Sequence, residues 1–144
     1  MWSDWYGFKM EAYDAIEENI AFVDKAGACA IVHSDDANGI QRLNQEAAKA
    51  LAAGRRAGVV IADADAWKWL AINPAKALGI ADQTGSLKAG KMADVVLWNG
   101  DPFSVYTRPD KVWIDGSMMY DAADPRRRPV SDFELGQPGE GDSK

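Results

Sequence analysis

Cysteine and histidine are almost missing from this chain: Cys29 and His33 are single examples in 144 residues. One cysteine closes no internal disulfide and builds no cysteine-based zinc cage. One histidine does not hold a catalytic metal alone, because such an ion usually takes three protein ligands. Long apolar runs are missing too. No uninterrupted stretch approaches the ~20 residues that span a bilayer. No segment combines a basic start with an apolar core, so no secretory signal is visible; the aromatic opening residues carry Asp4 and Glu11. A cytoplasmic location is the expectation, subject to any targeting signal encoded upstream of Met1.

Positive charge is also in short supply. Sixteen Lys and Arg face 22 Asp and Glu, giving a net charge of −6 and a pI near 4.7. A surface of that sign attracts phosphate backbones poorly, which argues against nucleic acid as a partner. The one basic run, Arg126–Arg128, is short and lies among prolines and aspartates, as a solvated tail feature does. Gly39, Gly85 and Gly90 do not make a phosphate-binding loop, since the Gly-Lys-Ser/Thr ending is absent. What remains is globular: 47% hydrophobic residues, 26% charged residues and six tryptophans, in a length suited to about one domain.

Hydrophobic spacing divides the chain. Tyr13, Ile16, Ile20 and Val23 recur at three and four, predicting a helix over 11–26 that Gly27 stops. Ala28–Ser34 is a short apolar run suited to a buried strand, and the polar cluster Asp35-Asp36-Ala37-Asn38-Gly39 ends it. A second helix is expected over 40–57, with Leu43, Ala47, Ala50 and Leu51 as its apolar stripe. A third is expected over 63–79, capped by Asp63 or Asp65 and interrupted at Asn73-Pro74. From Gly85 the pattern turns to β: Val95–Trp98, Lys111–Ile114 and Ser117–Tyr120, with Asp115-Gly116 as a hairpin signal. Residues 123–144, rich in Pro, Arg, Gly and Asp, read as a flexible tail. The single buried strand has no parallel neighbour in this sequence, although such a strand needs hydrogen-bonding partners on both sides. The expectation is that a sheet has been cut through.

Asp35, with Asp36 beside it, is the leading chemical candidate. A carboxylate after a buried strand and before a helix stands where α/β barrels present catalytic groups. Asp35, Asp36 and Asn38 are equally good N-caps for the following helix, and position alone leaves both readings open. His33 and Cys29 share a strand face with Asp35 by period-two alternation. They read as a packed or pocket-lining residue and a small core residue. Trp67 and Trp69, two apart on a helix, cannot share a face, so one belongs to the core and the other to an interface. Asp94, just before a strand, reads as a turn or hairpin anchor.

Three motifs carry a family resemblance: Gly85–Trp98 (GSLKAGKMADVVLW), the Asn99-Gly100-Asp101-Pro102 turn after it, and Asn73–Gly79 (NPAKALG) before it. In that order they resemble the C-terminal part of metal-dependent amidohydrolases, closest to the branch of imidazolonepropionase-like enzymes and proline-dipeptide hydrolases. The resemblance covers roughly residues 11–122. It implies an α/β chain in which residues 1–84 hold the last strand (about 28–34) and helices of a TIM-type (β/α)8 barrel. Residues 85–122 would then be strands of a small β-sandwich domain. It carries onto Asp35 the role of metal ligand and proton shuttle, with Asp36 as the fallback. The expected ion is divalent, most simply zinc, and the expected reaction is hydrolysis of a C–N bond in a small amide, cyclic amide or dipeptide. The other metal ligands are not in this chain, so the isolated polypeptide is expected to be inactive. Its partners are expected to be the missing N-terminal barrel segment or copies of itself, with no nucleic acid and no membrane. The rival expectation is a stand-alone, non-catalytic binding module.

Overall fold

The structure, a computed structural model, describes residues 10–34, 37, 39–127 and 129. Four helices, α1 (Asn19–Lys25), α2 (Leu43–Arg56), α3 (Asp63–Trp67) and α4 (Ile72–Ala77), precede three strands, β1 (Val95–Trp98), β2 (Pro109–Ile114) and β3 (Ser117–Asp121). The strands form one antiparallel sheet in the order β1-β2-β3. No helix among the described residues is long and apolar enough to cross a membrane.

Alanine builds much of the core. Among the described residues, Ala21, Ala30, Ala47, Ala50, Ala53, Ala66 and Ala75 are buried, and Trp69 and Ile20 are the largest side chains fully enclosed. Small side chains let helices approach closely. At the α1–α2 crossing, a Cβ added to Gly54 would fall 2.3 Å from the Cβ of Ala21, so only glycine fits there. Arg55 then fastens the end of α2 to the next segment, donating to the Ile61 carbonyl and to Asp63 Oδ1, the latter at 2.7 Å. Asp63 is therefore an ion-pair partner rather than a cap: the N-cap position of α3 is Ala62, without a side-chain bond.

Two helices are shorter than their periodicity predicts. The expected helix over 11–26 is helical only from Asn19, after a 3-10 turn at Met10–Ala12. Tyr13 and Ile16, which carried the early part of the pattern, are exposed, so no packing holds that part as an α-helix. The expected helix over 40–57 opens with a 3-10 turn, Gly39–Arg42, and becomes α-helical at Leu43. The expected helix over 63–79 is two helices, α3 and α4. The break lies at 68–71, where Ala71 takes φ −123° and ψ −82°. It is not at Asn73-Pro74. Pro74 sits third in α4, in the first turn, where its missing N–H breaks no helical bond.

The β region follows its turn chemistry. Asp115 and Gly116 take φ of 48° and 80°, the paired positive values of a type I′ hairpin turn, and join β2 to β3. Trp67 of α3 meets Trp98 of β1 edge-on at 6.1 Å and Phe103 at 5.5 Å, joining the helices to the sheet. Trp69 lies in the core and Trp67 at this junction, although Trp69 sits in the 68–71 break and not on the helix the sequence predicts. Of the expected tail over 123–144, Pro125–Arg127 form a 3-10 turn, and residues 128 and 130–144 lie outside the described residues.

Candidate functional site

The segment 28–34 occupies the place the sequence gives to a strand, yet it belongs to no β-ladder among the described residues. Its burial alternates. Ala30 and Val32 are 1% and 3% exposed and join the hydrophobic core, whereas Cys29 and His33 are exposed. Ala30 and Val32 thus pack on the helices while Cys29 and His33 keep exposed surface, the burial alternation of a strand covered on one side.

Three backbone or side-chain links fix the segment. Val32 N donates to the Trp69 carbonyl at 3.2 Å, and Ala28 N to the Val23 carbonyl at 3.2 Å. Asn73 supplies the third: its Nδ2 donates to the Ala30 carbonyl at 2.8 Å. Asn73 is the one buried polar residue among those described, at 8% exposure. The Cys29 thiol lies 3.7 Å from the Asn73 carbonyl as a weak donor. Asn73, which the sequence reading took as a helix interruption and as part of a resemblance, is thus the anchor of the segment that leads to Asp35.

Asp35 and its fallback Asp36, like the capping candidate Asn38, lie outside the described residues. His33 is exposed at the end of the anchored segment. Among the described residues no group of three or more His, Cys, Asp or Glu side chains comes together to hold a metal ion. The donor set of the described residues does not by itself hold a catalytic ion.

Lys91 and Asp94 of the Gly85–Trp98 motif are braces. The Lys91 ammonium donates to the carbonyls of Ala81 and Thr84 and to Ser86 Oγ, the last at 2.8 Å, and so closes the 81–91 loop on itself. Asp94 accepts from the Asp115 amide at 2.9 Å and from the Thr84 hydroxyl at 2.8 Å. Those donors hold its carboxyl below the ordinary carboxylate range, the Asp115 amide contributing most. Its role as an anchor between loop and hairpin matches the sequence reading. Gly85 (φ 81°) lets the same loop press on α4, because a Cβ there would fall 2.7 Å from the Ala75 Cβ. Between α4, this loop and β1 lies an open, mainly apolar groove of about 530 Å3.

Residues 12–119 match the profile of the amidohydrolase family. The chain belongs to that family. It is 34% identical to an amidohydrolase from Thermotoga maritima MSB8 whose crystal structure it resembles with a TM-score of 0.67, over 78% of this chain and 28% of that one. Over 48 residues, 33% of this chain and 5% of the relative, it is 46% identical to amidohydrolase tasK of Hapsidospora irregularis. Over 58 residues, 40% of this chain and 13% of the relative, it is 41% identical to N-acetylglucosamine-6-phosphate deacetylase of Vibrio furnissii. The matched region is thus a small part of each relative.

Proposed function

We propose that this chain is the C-terminal piece of an amidohydrolase whose complete polypeptide hydrolyses an amide, cyclic amide or dipeptide C–N bond. In this reading 28–34 is the final stave of a (β/α)8 barrel, and β1–β3 are strands of the small β-sandwich. The observation that carries it is the one-sided segment: Ala30 and Val32 packed on helices, Cys29 and His33 exposed, and no ladder formed with any described strand. A stave of a closed barrel has one face toward helices and one toward the barrel interior. Within the family, the NPAKALG and GSLKAGKMADVVLW motifs favour the imidazolonepropionase-like and proline-dipeptidase-like branch.

Asp35 follows the anchored segment directly in the sequence, two positions after His33. We assign it two tasks: metal ligand, and acceptor of the attacking water's proton for delivery to the leaving nitrogen. A bound divalent ion, most simply zinc, would lower the pKa of its water toward neutrality. Asn73 is a positioning residue, since its grip on the Ala30 carbonyl sets where the chain leaves the core ahead of Asp35.

The test begins with the coding DNA upstream of Met1. An open frame encoding a His-x-His pair after a strand pattern would supply the missing ligands. The product, purified with zinc, should hydrolyse amide substrates, and Asp35→Ala should lower kcat by about 10²–10⁴-fold. The isolated 144-residue chain should show no turnover. Unchanged kcat in Asp35→Ala, or turnover by the isolated chain that this substitution abolishes, would refute one part of the reading or the other.

A further inference from the structure

Four of the chain's 16 basic side chains meet at one place. A cavity of about 580 Å3 lies between α3, the 68–71 break, α4 and the 81–91 loop, and Lys68, Lys76, Lys88 and Lys91 line it. No described Asp or Glu does, in a chain that carries 22 of them and a net charge of −6. The local sign is thus opposite to that of the whole.

The four ammonium groups differ in what holds them. Lys68 pairs with Asp65 at 2.6 Å. Lys91 donates to the Ala81 and Thr84 carbonyls and to Ser86 Oγ, so neutral groups fix its position and leave its charge uncompensated. Lys76 and Lys88 are exposed, and their side chains make no hydrogen bond or ion pair among the described residues. Three positive charges therefore share one space without a counter-charge. They repel one another, and an anion placed among them relieves that cost.

Every cation here is lysine, and no arginine lines the cavity. A flat carboxylate is gripped best by the two-pronged guanidinium. Ammonium groups act as point charges and suit oxygens that point in several directions, as on a phosphate group. Ser86 adds a hydroxyl hydrogen that remains available, because its oxygen is the acceptor in the bond with Lys91. The other walls are apolar, with Trp67, Ala71 and Ile72 half-buried there. A bare phosphate ion leaves those walls uncovered; an organic body attached to it covers them.

We infer that this cavity binds a small organic phosphate ester, its phosphate among Lys76, Lys88 and Lys91 and its apolar body against Trp67 and Ile72. The source is a soluble ligand, since a chain of this net charge is repelled by an anionic lipid surface. No residue of the 28–34 segment lines the cavity, so the inference does not rest on the proposed hydrolysis.

Isothermal titration calorimetry of the 144-residue chain with phenyl phosphate tests it. One-to-one binding is expected, and it should weaken as sodium chloride is added. Lys76→Gln and Lys88→Gln, both at exposed positions, should leave the far-UV spectrum intact. Each should weaken binding by about threefold or more, and the pair by about tenfold or more. Lys49→Gln removes the same charge from α2, outside the cavity, and should leave the affinity unchanged. No binding at millimolar phenyl phosphate overturns the inference, and so does an equal loss in Lys49→Gln, which reduces the effect to net charge. Inorganic phosphate binding as tightly removes the apolar walls from the account, and benzoate binding as tightly removes the phosphate; either overturns it. Cosedimentation with phosphatidic acid vesicles that Lys88→Gln abolishes overturns the soluble source and assigns the cavity to a lipid headgroup.

Discussion

Asn73 Nδ2 and the Ala30 carbonyl oxygen lie 2.8 Å apart across 43 positions of sequence. The bond ties the first turn of α4 to the segment that precedes Asp35. Asn73→Ala removes the donor and leaves a buried carbonyl short of its partner, a loss of about 1–3 kcal/mol. Urea denaturation should report a lower midpoint with an unchanged slope. An unchanged midpoint would mean that the bond is not formed in solution.

Gly54 and Ala21 make a paired prediction. Gly54→Ala gains helix propensity of about 1 kcal/mol, but its Cβ would arrive 2.3 Å from that of Ala21. Overpacking of this kind costs about 1–3 kcal/mol and should win, giving net destabilisation. Adding Ala21→Gly relieves the clash, so the double variant should be more stable than Gly54→Ala alone. Simple additivity of the two losses would refute the close crossing.

Asp94 gives the chain an acid-sensitive joint. Its carboxyl is held below the ordinary value of 3.8 by the Asp115 amide and the Thr84 hydroxyl. A depressed folded-state value means that the stabilisation is complete above the unfolded value and is lost as pH falls through the folded one. Loss should therefore begin below about pH 4. Asp94→Ala should lower the urea midpoint at neutral pH and flatten its fall under acid. Parallel pH curves for the two proteins would remove Asp94 from the account.

Trp67 couples the two halves of the fold through its ring contacts with Trp98 and Phe103. Trp67→Leu keeps an apolar side chain but forfeits two aromatic pairs, each contributing about 0.5–1.5 kcal/mol beyond burial. Helix and sheet should then melt at separable midpoints, read by far-UV circular dichroism and by hydrogen exchange at β2. A single coincident transition would show that the coupling lies elsewhere.

Local chemistry was the most legible part of the sequence. An Asp-Gly pair between apolar runs needs two positive φ angles, and Asp115 and Gly116 have them. The split of Trp67 and Trp69 between junction and core was foreseen, but Trp69 lies in the 68–71 break and not on the helix from which the split was argued. Periodicity failed where nothing covered the residues carrying it: Tyr13 and Ile16 are spaced for a helix but stand exposed outside α1. Helix breaks were also misplaced, since Asn73-Pro74 sits inside a first turn that tolerates proline. The anchoring task of Asn73 was invisible, because it depends on a contact 43 residues away. The candidate site was legible only as a position after a strand-like run, and Asp35 itself lies outside the described residues.

The alanine-built core has a thermal consequence. Methyl groups bring little hydrocarbon out of water, and the heat capacity increment of unfolding scales with the apolar surface released. With Trp69 and Ile20 as the largest side chains fully enclosed, that increment should be low for the chain's length. Its free energy of unfolding should therefore bend only gently with temperature, giving weak sensitivity to cooling and a small baseline step across the calorimetric transition.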